Sequence, residues 1–332
     1  MRFLSESPWY PTALLPGKNL HWKGLDSNSA RAVLSDSGYS VSAVFTFGAG
    51  GCSSACAALL PGKQRVLMKK IVIFTDLDGS LLHPRTYSFD AALPALNLIN
   101  EKRISLVLCS SKTRAEIEAY RARLGNSHPF ISENGGGIFI PGGYFLNGNI
   151  GEKKPATYHV VALGKPYEEI RKTFTDLRDL LRIKVKGFGD MNAEDIAELT
   201  GLTFEEASLA KLRDFGEPFV FEEGPREEFL EAIEENGLHW TEGRLHHILG
   251  DNDKGKAVNI LKGLFEGEVG KIHTVGLGDG FNDLPMLKEV DRPVLIPKED
   301  GSYDPRVTLP NVIKAEGIGP TGWNKAIIDL LK

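Results

Sequence analysis

The stretch that decides the fold is Ile71-Val-Ile-Phe-Thr-Asp-Leu-Asp-Gly79, in which a short apolar run leads directly into two acidic residues. Residues 71–74 carry no polar side chain, and such a run is typical of a strand buried in a parallel sheet. Ligands of open α/β sheets gather beyond the carboxyl ends of the strands. Asp76 and Asp78 therefore lie where a functional site is expected.

The same pattern continues on both sides of this run. Further strands are predicted at 104–109, 271–276 and 294–297, and helices at 92–99, 113–124, 254–265 and 281–290. The helix 113–124 begins with the capping box Thr113-Arg-Ala-Glu116 and ends at Gly125. Strands that alternate with helices predict an α/β fold, a doubly wound, Rossmann-like parallel sheet with helices on both faces.

Residues 152–248 have a different texture and predict a second, α+β domain inserted into the first. Its predicted strands are 158–163, 219–222 and 245–249, and its predicted helices are 166–182, 193–199 and 203–212. The core then comprises residues 68–151 and 249–332. An insert at this point covers the active edge of the core as a cap.

The first 67 residues are rich in Ser, Ala and Gly and show no sustained helical or strand period. We expect residues 1–67 to be a disordered or mis-assigned extension, with Met68 as the natural start. The alternative is a small accessory element. A shortened chain that begins at Met68 separates the two, because loss of folding or activity would contradict the first expectation.

The composition excludes several classes of partner. The chain has 332 residues, 42% of them hydrophobic, which suffices for two globular domains. Its net charge of -5 offers no basic excess for a nucleic acid. The three cysteines, Cys52, Cys56 and Cys109, form no disulfide framework, and no run reaches the roughly 18 to 20 apolar residues of a membrane span. We expect a cytoplasmic protein that acts on a small molecule, with no nucleic-acid or membrane partner; the oligomeric state is left open.

The two acids after the first strand have the spacing of a nucleophile and an acid–base group. Asp76 can attack a phosphorus atom, while Asp78 can protonate the leaving alkoxide and later deprotonate water. The alternative is a plain turn, since Asp and Gly are frequent turn residues. A second acidic pair, Asp279 and Asp283, follows the strand 271–276. Because Mg²⁺ prefers oxygen ligands, we predict a magnesium site of Asp76, Asp279 and a backbone carbonyl, with Asp283 acting through water.

Two further residues open helices beside the predicted site. Ser110 follows the strand 104–109, and its hydroxyl either binds phosphate or is an ordinary helix N-cap. Lys254 lies in the first turn of the helix 254–265, where a cation is disfavoured unless an anion is near. Lys256 is the competing lysine, and we expect it to be a solvated surface charge.

These four segments, in this order, resemble the catalytic motifs of the haloacid dehalogenase phosphatases over most of residues 69–332. The resemblance implies a magnesium-dependent phosphatase with an aspartyl-phosphate intermediate. It assigns the roles as follows: Asp76 is the nucleophile, Asp78 the general acid and base whose carbonyl also binds Mg²⁺, Ser110 the phosphoryl-holding hydroxyl, Lys254 the charge-offsetting cation, Asp279 the remaining metal ligand and Asp283 its outer-shell partner.

Segments outside these motifs narrow the substrate. The insertion point after Glu133-Asn-Gly-Gly136 resembles the subfamily with an α+β cap in the second position. Residues 110–114, 187–191, 213–219, 243–247 and 319–324 together resemble the mannosyl-3-phosphoglycerate phosphatases, which release mannosylglycerate and phosphate. Gly216 departs from this pattern, where a Ser is expected. The resemblance implies substrate contacts from Lys112, Glu133, Asn134, Asp190, Arg213, Glu217, Thr321 and Gly322.

Several alternatives stay open from the sequence alone. Arg213 suits a carboxylate, and Asp190 or Glu217 suits sugar hydroxyls, but Arg213 and Glu217 can equally form a salt bridge within the cap. Residues 319–322 are either a turn or a backbone-amide anion site. The rival functions are a phosphatase for glucosyl-3-phosphoglycerate or sucrose 6-phosphate, a phosphomutase, and a non-catalytic sugar-phosphate-binding protein on the same scaffold.

Overall fold

The structure, a computed structural model, describes residues 20–26, 29–36, 39–46, 70–145 and 158–332. The chain forms two compact units, Met1–Met68 and Lys69–Lys332. The strands of the described residues are β1 (Leu20–Asp26), β2 (Ser29–Asp36), β3 (Tyr39–Thr46), β4 (Lys70–Thr75), β5 (Ser105–Cys109), β6 (Phe130–Ser132), β7 (Gly137–Pro141), β8 (Tyr158–Ala162), β9 (Lys184–Gly187), β10 (Gly216–Glu223), β11 (His239–Glu242), β12 (His246–Leu249), β13 (Ile272–Gly278), β14 (Arg292–Leu295) and β15 (Ile313–Lys314). The helices are α1 (Leu93–Glu101), α2 (Arg114–Leu124), α3 (Tyr167–Leu181), α4 (Ala193–Thr200), α5 (Phe204–Ala210), α6 (Arg226–Glu235), α7 (Lys254–Val269), α8 (Leu284–Glu289) and α9 (Gly319–Leu331).

The first unit contains an antiparallel sheet in the order β1-β2-β3. These strands differ from the disorder expected of this segment. In β3, Val41, Ala43 and Phe45 recur at every second position, a strand pattern too weak for a prediction from sequence. The rest of the expected extension, including the start at Met68, lies outside the described residues.

The core of the second unit is an eight-stranded sheet in the order β15-β14-β13-β4-β5-β6-β7-β8. The strands from β15 to β6 are parallel, and β7 pairs antiparallel with both β6 and β8. Strand β4, the apolar run of the opening motif, lies between β13 and β5 and is buried from Val72 onwards. The predicted doubly wound parallel sheet is confirmed.

Helices cover both faces of this sheet. On one face, α1, α2 and α9 pack through side chains such as Ile99, Ile117 and Trp323. On the other face, α7 and α8 pack through residues such as Leu261 and Met286. The predicted capping box opens α2, and Gly125 ends it in the left-handed conformation at φ 62°. In the described part of the chain, no helix combines the length and apolar character needed to cross a bilayer.

The inserted region forms its own antiparallel sheet in the order β11-β12-β10-β9. Helices α3 and α6 pack against this sheet around Phe174, Phe219 and Phe229, all fully buried. Helices α4 and α5 pack instead into the same apolar cluster as core helices α1, α2 and α9. The predicted α+β cap is confirmed, and its α4–α5 pair joins it to the core.

The division into domains at 151/152 and 248/249 stays a prediction, with one difference. The strand predicted at 158–163 as part of the cap is β8, and it pairs along its length with β7 in the core sheet. This pairing satisfies backbone hydrogen-bonding groups along one edge of the core sheet, a need that a sequence pattern does not reveal. Strand β9, helix α6 and strand β11 of the cap are not predicted from the sequence.

Candidate active site

Asp76 lies at the carboxyl end of β4 and is 4% exposed. Its Oδ1 accepts a hydrogen bond from Nζ of Lys254 at 2.6 Å, and the same ammonium donates to Oδ1 of Asp283 at 2.6 Å. Lys254 is fully buried at the start of α7, although a helix N-terminus disfavours a cation. The two carboxylates therefore account for the lysine that the sequence places there.

Asp279 follows β13 and completes a compact acidic group. Asp76, Asp279 and Asp283 each place a carboxylate oxygen within 4.8 Å of the others. Oδ2 of Asp283 accepts from the backbone N–H groups of Asp279 and Gly280, at 3.0 and 3.1 Å. Both oxygens of Asp283 are thus committed to the protein, whereas the carboxylate of Asp279 faces the cavity described below.

Gly79 is the residue that allows Asp279 to approach the Asp76–Asp78 turn. Its φ of 78° is left-handed, and a Cβ on it would lie 2.5 Å from Oδ2 of Asp279. The Gly of the Asp-Leu-Asp-Gly motif is therefore required both by conformation and by space.

Negative charge exceeds positive charge within this group. Burial, together with the nearby carboxylates of Asp283 and Asp78, raises the pKa of Asp76 to about 7, although Lys254 opposes the shift. Burial and the charges of Asp283 and Asp76 raise the pKa of Asp279 well above its ordinary value. Three carboxylates are crowded around one ammonium group, which bonds only to Asp76 and Asp283, so the charge of the site would accept a further cation.

Asp78 faces the same cavity from the other side of the turn. Its Oδ2 pairs with Nζ of Lys112 at 3.1 Å, and that ammonium also pairs with Oε1 of Glu116 at 3.2 Å. Burial opposes the charge of Lys112, but Asp78 and Glu116 raise the pKa of Lys112 above its ordinary value. Oδ1 of Asp78 is buried and has no hydrogen-bond partner among the described residues.

Ser110 directly follows strand β5 and is fully buried. Its hydroxyl oxygen accepts from the backbone N–H of Lys112 at 3.2 Å, and its carbonyl accepts from the N–H of Asn134 at 3.0 Å. The N-cap of the following helix α2 is Thr113, so Ser110 is not the N-cap. The neighbouring Ser111 and Lys112 line the cavity.

A cavity of about 600 Å³ connects these groups to the inserted region. The core side includes Asp76, Asp78, Lys112 and Asp279. The cap side includes Phe188, Leu202, Arg213, Pro218, Arg244 and His247. The cavity therefore has an acidic end, which would accept an anionic group only together with a bound cation, and a wider end lined by the cap, which has room for an organic group.

Two predicted substrate residues form a link between core and cap instead. Glu133 is fully buried, and its carboxylate accepts from the backbone N–H groups of Asp214 and Phe215 at 2.9 and 3.0 Å. It also pairs with Nε of Arg213 at 3.1 Å. The guanidinium of Arg213 donates further to the carbonyl of Ser111 at 3.3 Å, so Arg213 lines the cavity with its charge paired and several of its donors engaged.

The cap acids Asp190 and Glu217 lie outside the lining of the cavity. Asp190 accepts from Arg171, Arg178 and the N–H of Gly187, and these bonds lower its pKa although burial opposes them. Glu217 is fully buried and accepts from Tyr167 at 2.8 Å and from Arg171 at 3.1 Å. The salt bridge considered between Arg213 and Glu217 is wrong, because each of them pairs with a different partner.

Asn134, Thr321 and Gly322 are also absent from the cavity lining. Oδ1 of Asn134 accepts from Nδ2 of Asn282 at 3.2 Å, while its own Nδ2 is buried without a partner among the described residues. Residues 319–322 are neither an isolated turn nor part of the cavity, because they form the first turn of α9. A Cβ on Gly322 would clash with the carbonyl oxygen of Gly317, so this glycine serves close packing.

Trp323 explains why this segment lies close behind the site. Its Nε1 donates to Oγ1 of Thr75 at 2.9 Å, and Thr75 donates in turn to the carbonyl of Asp76 at 2.8 Å. The start of α9 thus fixes the backbone at the end of β4. Of the eight predicted substrate residues, the structure brings Lys112 and Arg213 to the cavity and leaves the others behind it or apart from it.

Tyr87, Arg244 and His247 are among the cavity residues to which the sequence analysis assigns no role. Arg244 donates to the hydroxyl of Tyr87 at 2.6 Å across 157 residues of chain. His247 is 6% exposed, and burial lowers its pKa well below the ordinary value, so the ring is neutral. The only signal in the sequence is the segment 243–247 itself, which contains both cap residues.

The two units of the chain match two different family models. A family model described as haloacid dehalogenase-like hydrolase matches residues 73–181. A second model, a family of unknown function (DUF6544), matches residues 1–59. This second match favours the accessory element over a mis-assigned extension, and the nature of residues 1–67 stays a prediction.

The curated relatives match this chain over almost their full length. A glucosyl-3-phosphoglycerate/mannosyl-3-phosphoglycerate phosphatase of Methanococcoides burtonii is 49% identical over 265 residues, 79% of this chain and 97% of the relative. A protein of the same description from Persephonella marina is 46% identical with the same coverage. A mannosyl-3-phosphoglycerate phosphatase of Pyrococcus horikoshii is 35% identical and covers 68% of this chain and 90% of its own.

Solved structures agree on the fold at low sequence identity. A protein of Thermoplasma acidophilum has a TM-score of 0.56 at 17% identity and covers 80% of this chain and 100% of its own. A sugar phosphatase of haloacid dehalogenase subclass IIB has a TM-score of 0.51 at 17% identity, over 78% of this chain and 98% of its own. With its opening motif, its parallel core and these relatives, the chain belongs to the haloacid dehalogenase-like hydrolases, in the same family as the phosphatases it matches.

Proposed function

We propose that this protein hydrolyses mannosyl-3-phosphoglycerate to mannosylglycerate and phosphate, through a phosphoryl group carried on Asp76. The observation that carries the proposal is the end of β4, where Asp76 pairs with the buried Lys254 and shares a cavity with Asp78. The relatives named for this reaction match this chain over nearly their full length, which supports mannosyl-3-phosphoglycerate as the substrate.

In the proposed reaction, one oxygen of Asp76 forms a bond to phosphorus while the bond from phosphorus to the glycerate oxygen breaks. Asp78 gives a proton to that oxygen, and the sugar acid leaves. Asp78 then takes a proton from water, whose oxygen attacks phosphorus and releases phosphate from Asp76. The unpartnered Oδ1 of Asp78 supports this role, because a buried carboxylate oxygen without a partner is costly unless a ligand supplies one.

The acidic group fits a bound magnesium ion. Its donors are carboxylate oxygens, and its negative charge is only partly offset by Lys254. We propose that Asp76, Asp279 and the backbone carbonyl of Asp78 hold the ion. Asp283 acts through water, since its own oxygens are engaged by Lys254 and two backbone N–H groups. When bound, Mg²⁺ supplies positive charge to the phosphoryl oxygens and reduces the repulsion among the acids.

The remaining catalytic roles follow from position. Ser110 and Lys112 belong to the loop between β5 and α2, and Lys112 faces the cavity next to Asp78. We propose that this loop binds the phosphoryl oxygens. Lys254 fixes the orientation of Asp76 and offsets charge that develops there.

The sugar is the least constrained part of the proposal. Two of the relatives are described for both the glucosyl and the mannosyl compound, so both belong to the substrate range to be tested. The remaining alternative functions are a phosphatase for sucrose 6-phosphate, a phosphomutase and a non-catalytic sugar-phosphate-binding protein. A binding protein has no use for an acid–base group, and a phosphomutase would return the phosphoryl group to a sugar instead of water.

The test is phosphate release from mannosyl-3-phosphoglycerate, glucosyl-3-phosphoglycerate and sucrose 6-phosphate, each with and without Mg²⁺. We expect fast, metal-dependent release from the mannosyl compound. Release only from sucrose 6-phosphate would contradict the substrate but keep the mechanism. No release from any of the three compounds would contradict the proposed function.

A further inference from the structure

The cations that line the cavity fall into two groups. Four of them pair with a carboxylate of the protein: Arg85 with Glu299, Lys112 with Asp78 and Glu116, Arg213 with Glu133, and Lys298 with Asp304. The fifth, Arg244, has no carboxylate partner among the described residues. One guanidinium charge in the cavity is therefore left for an anion from outside the protein.

Arg244 is held in place by a neutral group. It lies in the turn between β11 and β12 of the cap and is exposed. Its Nη1 donates to the hydroxyl of Tyr87 at 2.6 Å, and that hydroxyl donates to the carbonyl of Thr200 at 2.8 Å. The donor of the tyrosine is thus committed to a backbone carbonyl, which leaves its oxygen to orient the guanidinium without neutralising it.

The backbone of Tyr87 shows that this arrangement is imposed. Tyr87 has a φ of 54°, a left-handed conformation that is strained for a bulky residue. The surroundings hold it there, since the side chain is 8% exposed and bonded at its hydroxyl. The strain supports a positioning role for the tyrosine.

A continuous row of contacts connects Arg244 with the reacting end of the cavity. Asp78 pairs with Lys112 at 3.1 Å, and Nζ of Lys112 lies 5.2 Å from the ring centroid of Tyr87. Tyr87 in turn holds Arg244. A substrate with its phosphoryl group beside Asp78 therefore extends along this row toward the free guanidinium.

We propose that Arg244 binds the carboxylate of the leaving group. It would thereby select phosphate monoesters that carry such a carboxylate over phosphate monoesters of uncharged sugars. This inference rests on the proposed function and names the residue that recognises the acid part of the substrate. A guanidinium binds a carboxylate through two parallel hydrogen bonds, which gives both attraction and orientation. Tyr87 is the positioning residue that aims it.

The test compares mannosyl-3-phosphoglycerate with its carboxyl methyl ester, which lacks the charge that Arg244 would bind and adds one methyl group. A charged hydrogen bond of this kind corresponds to about a 10- to 100-fold effect. In the wild type we expect kcat/KM for the acid to exceed that for the ester by this factor. In Arg244→Gln we expect the preference to disappear, with the loss confined to the acid, and Arg244→Lys should restore part of it.

Two further variants separate recognition from a general effect on folding. Arg85→Gln removes a cavity arginine that already pairs with Glu299, so it should change the acid and the ester by the same factor. Tyr87→Phe should raise KM for the acid more than for the ester. An unchanged acid-to-ester ratio in Arg244→Gln overturns the inference while the proposed function stands. Failure of the wild type on both compounds overturns both.

Discussion

Two sets of buried acids in this molecule differ in how their charges are satisfied. At the end of β4, Asp76 and Asp283 share the ammonium group of Lys254, Asp279 lies beside them without an ion-pair partner among the described residues, and Oδ1 of Asp78 has no hydrogen-bond partner there. In the cap and at its junction, Glu133 and Glu217 each accept several hydrogen bonds and pair with an arginine. Unsatisfied charge is expensive inside a protein, so it marks the place where a ligand completes the site, whereas satisfied charge marks structure.

The largest expected effect is on the nucleophile. Asp76→Asn keeps the shape of the side chain but replaces the nucleophilic carboxylate by a neutral amide, so kcat should fall by about 10⁴-fold or more. Phosphate release from mannosyl-3-phosphoglycerate measures it. The matched control is Asp190→Asn in the cap, which should keep activity within about tenfold because Asp190 serves the arginines of α3. Near-normal turnover by Asp76→Asn would contradict the proposed role of Asp76 and, with it, the contrast between the unsatisfied acids at the end of β4 and the satisfied acids of the cap.

Asp78 carries the next largest effect. Asp78→Asn cannot pass a proton to the leaving oxygen, and general acid–base catalysis is worth roughly 10² to 10⁴ in rate. The loss should shrink for a substrate with a good leaving group such as p-nitrophenyl phosphate, since that oxygen needs no proton. Equal losses on both substrates would mean that protonation of the leaving group is not the main role of Asp78, and that it acts in the shared hydrolysis of the intermediate, in binding or in structure.

The junction acid Glu133 should affect stability more than chemistry. Glu133→Gln keeps one acceptor but leaves Arg213 buried without a counter-charge, which costs about 3 kcal/mol. The free energy of unfolding from urea denaturation measures it. Glu223→Gln removes an exposed pair with Lys184 and should be silent in the same assay. A silent Glu133→Gln would show that this ion pair is not what holds core and cap together.

These pairs show which features of the molecule can be predicted from its sequence. The fold and Asp76, Asp78 and Lys254 follow from local signals: an apolar run, the acids after it and a lysine at a helix start. The partner of a buried acid is determined by the tertiary structure. Glu133 contacts Arg213 only because β6 ends beside the cap junction, and no spacing in the sequence predicts that contact.

The same reason explains the residues that sequence analysis misplaces or misses. The contact of Arg244 with Tyr87 spans 157 residues. Thr321 and Gly322 are assigned to a substrate site although Pro320 is a local signal for the first turn of a helix, and the structure has α9 there. Their contact with substrate stays a prediction, whereas the position of Pro320 alone suffices to predict the helix start.

Gly79 tests the packing of the acidic group. Gly79→Ala adds a Cβ 2.5 Å from Oδ2 of Asp279 and also strains a left-handed backbone. A displaced Asp279 should lower kcat by about 100-fold. Gly125→Ala is the matched control, because its φ is 62° and its Cβ would contact nothing within 4 Å. It should lose about 1 kcal/mol of stability and keep its activity; equal activity losses in both variants would leave strain alone as the cause.

The smallest effect is expected at Lys256, two residues after Lys254 on the same helix. Lys256 pairs with Asp251, an exposed carboxylate, so water replaces the contact when it is lost. Lys256→Met should therefore change neither phosphate release nor the thermal unfolding midpoint measurably. Lys254→Met, in contrast, leaves Asp76 and Asp283 without their cation and should lower phosphate release. If the two variants behaved alike, burial of the pair would not be what separates a catalytic lysine from a surface one, and the contrast between satisfied and unsatisfied charge would fail at its simplest pair.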